Sequence, residues 1–170
     1  MYLNFRELMS KDTAVNFHQS INLNRIIEGR QDITYISPVK VDLEARPVLG
    51  GVIDVQGELT AELKMQCSRC LTPVTKNYVI PFHERFKLAE SPEEMNEDED
   101  ITVVTEEKIN LESYVEEEMY MSLPYAPLCI EDCKGLCPTC GINRNEQPCG
   151  CSNEKIDPRL AALKDFFKQD

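Results

Sequence analysis

A chain of 170 residues with 42% hydrophobic residues and no Trp has room for one main core and a small appended module, not for two large independent domains. No apolar run approaches the roughly 18 residues of a membrane helix, so no span is expected. The formal net charge of -12 falls within residues 90–118, where thirteen acidic residues meet the single base Lys108; this excludes the bulk basic surface of a generic nucleic-acid binder.

The opening residues MYLNFRELMSKDT mix charged and apolar side chains, with no apolar segment leading to a small-residue cleavage site, which predicts a cytoplasmic chain in a reducing compartment. Residues 12–88 favour strands. Val39, Val41, Leu43 and Ala45 alternate, then Ile53 and Val55, then Leu59, Ala61, Leu63 and Met65, and later Tyr78, Ile80 and Phe82. Gly50-Gly51 marks a hairpin turn between two of these runs. Cys67 and Cys70 fall at the next corner, so the CxxC caps a hairpin. Residues 89–100 (AESPEEMNEDED) lack the apolar groups that would offset ordering entropy, and they read as a mobile acidic loop. A short strand over 101–105 follows. A helix near 111–122 comes next, with Leu111, Tyr114, Val115 and Met119 on one face and Glu112, Glu116 and Glu117 on the other, ended by Pro124 and Pro127. Beyond the cysteine-rich run, Asp157 before Pro158 predicts a helix start, with Leu160, Leu163 and Phe167 at helical spacing.

The expected fold is α+β: an antiparallel β-rich body, open or barrel-like, with one acidic helix, a cysteine-rich zinc-binding segment and a short C-terminal helix. The body would occupy residues 1–128, and residues 129–170 would form a zinc-binding tail packed on it rather than independent.

Clustered cysteines in a reducing compartment point to metal more than to disulfides. A structural zinc takes four ligands, commonly as two close pairs. Cys137 and Cys140 in CPTCG make one pair on a tight turn, and Cys149 and Cys151 in CGC lie on one face of an extended segment. Cys67 and Cys70 with Cys129 and Cys133 make a second set, linking regions far apart in the chain. Two structural zinc ions are expected. Cys133 and Cys137 are also spaced as a pair, so the partition stays open at this point.

His18 and His83 lie in strand patterns without a nearby cysteine and read as ordinary packed or surface residues. A catalytic zinc keeps an open position, whereas eight thiolates would fill two sites. With no phosphate loop, nucleophile elbow or HExxH in the chain, no enzymatic activity and no small-molecule substrate are expected. CSRC could also be a redox motif, which keeps a thiol-redox sensor that loses zinc on oxidation as the rival reading. The acidic stretch is either a solvated face or a docking strip for a basic partner.

The segment ELKMQCSRCLTPVTKNYVIPFHERF, followed by an acidic stretch and then by LPYAPLCIEDCKGLCPTCGINRNEQPCGC, resembles the YceD family of bacteria and plastids. The resemblance implies a role in accumulation of large-subunit ribosomal RNA and ribosome assembly. The expected partner is a ribosomal protein or pre-ribosomal particle; the resemblance identifies no binding site, and RNA contact is expected from the position of the local bases Arg69, Lys134 and Arg144 beside the cysteine turns. Some family members lack the CPTCG and CGC half, which implies that the contact centred on Cys67 belongs to the common framework.

Overall fold

A computed structural model describes residues 1–11, 13–89 and 100–151. The predicted C-terminal helix lies outside the described residues, as does the predicted acidic loop apart from residues 89 and 100.

The elements in chain order are β1 (Tyr2–Asn4), α1 (Phe5–Lys11), β2 (Val15–Ile21), a 3-10 turn (Asn24–Ile27), β3 (Ile33–Ile36), β4 (Val39–Val48), β5 (Val52–Gln66), β6 (Pro73–Leu88), β7 (Thr102–Val104), β8 (Lys108–Asn110) and α2 (Leu111–Met121). The α+β class expected from the sequence is what the chain adopts. A six-stranded sheet runs in the order β2-β4-β5-β6-β7 and stays open. One edge of β5 is shared: β4 pairs with its first part, from Val52 to Thr60, and β3 with Leu63 to Met65 beyond. The other edge of β5 pairs with β6 along its whole length. Pairing is antiparallel except where β7 joins β6 in parallel, which requires the chain to cross back between them. A separate two-stranded sheet joins β1 to β8.

Period-two alternation explains the burial. Val39, Val41, Leu43 and Ala45 on β4, Leu59, Ala61, Leu63 and Met65 on β5, and Ile80, Phe82 and Phe86 on β6 point to one face. Leu111, Val115 and Met119 of α2 and Leu3, Phe5 and Leu8 from the N-terminal segment complete that core. Tyr114 meets Phe86 edge-on with centroids 4.9 Å apart. Asn110 caps α2 by accepting from the Glu112 N–H at 3.2 Å. Sequence periodicity does not announce α1 and β1, because both are short and β1 is held by its pairing with the distant β8.

One turn and one close approach inside a strand set the hairpin geometry. Val48 pairs with Val52 across Leu49, Gly50 and Gly51, and both glycines take positive φ, as the GG signal predicted. Within β5, Gly57 opposes Leu43 on one side and Phe82 on the other, and a Cβ there would sit 2.0 Å from the Asp42 carbonyl oxygen. Only glycine lets β4 and β5 approach so closely. Gly57→Ala should therefore lower stability by about 3 kcal/mol through overpacking, read as a shift in the denaturant midpoint at unchanged slope. An unshifted midpoint would show that the strands separate there without cost.

Candidate metal centres

The β5–β6 hairpin ends in the turn Cys67-Ser68-Arg69-Cys70-Leu71-Thr72. The Cys67 N–H donates to the Thr72 carbonyl at 2.9 Å, and the Leu71 N–H to the Cys67 carbonyl at 2.9 Å. The same turn recurs in the tail. There the Cys137 N–H donates to the Ile142 carbonyl at 2.8 Å, and the Gly141 N–H to the Cys137 carbonyl at 2.8 Å. In each, the residue after the second cysteine has positive φ, +74° for Gly141 and +60° for Leu71. Leu71 is the one non-glycine residue with positive φ among the described residues.

The turns bring the cysteines together in two quartets. Cys67, Cys70, Cys129 and Cys133 form the first, and Cys137, Cys140, Cys149 and Cys151 the second, with the sulfurs of each within 4.8 Å of one another. Cys133 and Cys137, the alternative pair, are thus divided between the two. In the first quartet, Cys67 Sγ lies 3.7 Å from Cys133 Sγ, and Cys70 Sγ lies 3.5 Å from Cys129 Sγ. Four sulfurs at about 2.3 Å from a tetrahedral zinc stand about 3.8 Å apart, close to these two separations, so the set could hold such an ion. The first quartet is the more enclosed, with Cys67, Cys70 and Cys133 buried, whereas Cys140 of the second is exposed and Cys149 and Cys151 are half-buried. Neither histidine joins a quartet: His18 Nδ1 is 2.7 Å from Asp42 Oδ1, and His83 Nε2 is 2.7 Å from buried Asp54.

The four sulfurs of each set sit in unequal environments. Burial pushes the Cys67 thiol up, but the N–H groups of Arg69, Cys129 and Cys70 outweigh it and bring it down to about 6. The N–H groups of Cys140 and Thr139 do the same for Cys137, also to about 6. Burial, followed by the sulfurs of Cys70, Cys133 and Cys67, pushes Cys129 up to about 12. Cys151 is likewise driven up to about 12, first by Cys140 and then by burial. One sulfur of each set thus ionises more readily than an ordinary thiol, while another is held protonated, Cys129 first by its burial and Cys151 first by its contact with Cys140. Four thiolates at this separation are stable together only around a positive ion.

The first quartet joins the hairpin tip to a distant segment, and hydrogen bonds secure the junction. The Ser68 N–H donates to the Pro127 carbonyl at 2.8 Å and the Leu136 N–H to the Arg69 carbonyl at 3.0 Å. Arg69 Nη1 donates to the Cys133 carbonyl at 2.9 Å. At Gly135, with φ of +71°, a Cβ would lie 2.9 Å from the Arg69 carbonyl oxygen, so that close crossing needs glycine. Sequence reasoning missed Leu71 and Asn145, whose Nδ2 is 3.3 Å from Cys133 Sγ. The signal for Leu71 was its place after the second cysteine, where CPTCG has its glycine. No signal marked Asn145.

A family profile described as large ribosomal RNA subunit accumulation protein YceD matches residues 55–167. An uncharacterized protein of Mycobacterium tuberculosis is 36% identical over 128 residues, 75% of this chain and 61% of its own length. The chain therefore spans about three fifths of the mycobacterial relatives it matches. The Bacillus subtilis protein YlbN is 29% identical over 158 residues, 92% of this chain and 90% of its own. The chloroplastic large ribosomal RNA subunit accumulation protein YCED homolog 1 of Arabidopsis thaliana is 26% identical over 62 residues, 36% of this chain and 19% of its own. No solved structure matches. No helix among the described residues is long and apolar enough to cross a membrane.

Leu71 is 58% exposed, so its side chain contributes little burial while its backbone carries the left-handed strain. Leu71→Gly should stabilise the protein by about 0.5 to 1 kcal/mol, the relief of that strain less the extra freedom glycine gives the unfolded chain. Thermal unfolding of the metal-loaded protein checks this, and a lowered midpoint would mean that the leucine side chain has a partner of its own.

Proposed function

The chain belongs to the YceD family, and on that premise we propose that it is a non-enzymatic factor for large-subunit ribosomal RNA accumulation, acting in the cytoplasm and held in shape by two structural zinc ions. The observation that carries the reading is the pair of closed, all-cysteine quartets. Soft thiolates in a tetrahedral set suit zinc, and four of them leave no open position for a substrate or an activated water. Cys67, Cys70, Cys129 and Cys133 would hold one ion and Cys137, Cys140, Cys149 and Cys151 the other. Bound there, zinc supplies positive charge and a rigid cross-link.

The working surface in this reading flanks the cysteine turns. Arg69, Lys134 and Arg144 are exposed beside the quartets, and they would compensate the formal dianion of a four-thiolate zinc where RNA approaches. The acidic run over 90–118 would dock a basic ribosomal protein, an encounter steered by charge and weakened by salt. Its described part is already shaped by the chain's own cations: Glu107 meets Arg6, Glu112 the N-terminal amine and Glu116 Arg25. A second reading, a redox sensor, draws on the exposure of Cys140, which opens the second quartet to oxidants.

Native mass spectrometry of the metal-replete chain should find two zinc ions, and a single ion would require another allocation of the cysteines. Depletion of the protein in cells should lower the yield of large ribosomal subunits relative to small ones in subunit profiles. An unchanged large-subunit yield overturns the assembly reading. Zinc retained under mild peroxide would remove the sensor.

A further inference from the structure

The second quartet's loop reaches back to the first quartet. Asn145 lies between Cys140 and Cys149, yet its Nδ2 is 3.3 Å from Sγ of Cys133, a member of the other set. Its remaining partners fix the orientation of the amide. Asn145 Oδ1 accepts from the Lys134 N–H at 2.8 Å, a group that can only donate, so the NH2 side must face the sulfur. The two hydrogens of Nδ2 then have one acceptor each, Cys133 Sγ and, at 2.8 Å, Asn143 Oδ1. Asn143 is oriented in turn, because its Oδ1 also accepts from the Asn145 N–H at 3.1 Å and its Nδ2 donates to Glu146 at 2.7 Å.

The backbone holds the same place. The Arg144 N–H donates to the Gly135 carbonyl at 2.9 Å, and Leu136 bridges to Asn143. Residues 134–136, between a ligand of the first quartet and a ligand of the second, are thus gripped by Arg69 on one side and by 143–145 on the other. An amide N–H aimed at the sulfur of a cysteine that is itself 2% exposed draws charge from a thiolate and fixes its direction.

We propose that Asn145 is an outer partner of the first metal centre, so that closing the second quartet around its own ion positions the amide that tightens the first. The inference rests on the zinc reading above. It makes the two centres one cooperative unit, and the coupling is reciprocal: filling either centre favours the other.

The test uses the full zinc-loaded chain, challenged with a chelator while exposed cysteines are alkylated and assigned by mass spectrometry, which resolves the two quartets. Asn145→Asp keeps an oxygen for the Lys134 N–H but removes the donor to sulfur and adds a negative charge; Asn145→Ala removes both. Each should speed the loss of protection at Cys67, Cys70, Cys129 and Cys133 by roughly tenfold or more, with a smaller change at the second quartet. Cys149→Ser, which opens the second quartet, should also weaken protection of the first. Unchanged first-quartet rates in Asn145→Asp and Cys149→Ser overturn the proposal, as does equal acceleration of both quartets in Asn145→Asp, which marks general loosening. A wild-type chain that takes up no zinc, by contrast, overturns the zinc reading on which it stands.

Discussion

The described chain beyond α2 is tied to the body where four sulfurs meet at the tip of the β5–β6 hairpin. Past Leu123 the described chain has few core-forming residues, and those it buries include Cys133 and Cys137. The satellite cluster there consists of Cys67, Cys70 and Cys133, with Val74, Leu128 and Leu136 packed around it, so sulfur stands where leucine or valine would stand in an ordinary core. Apolar burial on this scale could not offset the ordering of so long a segment. A structural zinc can contribute about 10 to 16 kcal/mol in small peptides, which an ion held by these sulfurs would add to that burial. The body differs in kind, because its sheet and α2 bury a continuous apolar face of their own.

Charge in this molecule acts mainly by orientation. The pairs of Glu112 with the N-terminal amine, Glu116 with Arg25 and Glu107 with Arg6 fasten α2 and the segment before it to the first quarter of the chain. Where such pairs are exposed on both sides, as Glu107 with Arg6 is, they contribute about 0 to 1 kcal/mol each. Their effect is to fix which way the acidic helix faces, with Leu111, Val115 and Met119 on the sheet and the carboxylates outward. Asp54 is a different case, since it is buried and meets both Arg46, at 3.3 Å, and His83. Removing either partner would leave a buried carboxylate short of compensation.

The sequence disclosed whatever is local and periodic. Alternation along β4 and β5, the glycine pair in their turn, the CxxC on the following turn and the apolar stripe of α2 are each written within a dozen residues, and each is present in the structure. Among contacts that depend on distant partners, the two cysteine sets were suggested by their close pairs, and the rest were not legible. That β3 and β4 divide one edge of β5 follows from strand lengths, not from any pattern within β3. The grouping of cysteines was open because Cys133 and Cys137 sit close enough in sequence to pair; crossing of the chain at Arg69 and Gly135 separates them. Asn145 carries no mark in GINRN that would tie it to a sulfur twelve residues upstream.

The two cysteine turns show how context decides what a local motif tolerates. They share their hydrogen bonds and the positive φ after the second cysteine, yet one uses glycine and the other leucine. A left-handed leucine costs about 1 to 2 kcal/mol and persists only where the surroundings over-determine the backbone. Around Leu71 they do: β5 and β6 run in unbroken register from Val52 and Lys87 down to Gln66 and Pro73, and Ser68 and Arg69 are bonded to the tail. Around Gly141 the described frame is looser: the short bridge between Leu136 and Asn143, the loop bonds of residues 143–147 and the quartet itself, with no paired strands of the length of β5 and β6. A turn that must form with so little support needs a residue that adopts its shape without strain. The recognisable CPTCG therefore marks the weaker scaffold, and the less recognisable CSRCL sits on the stronger one.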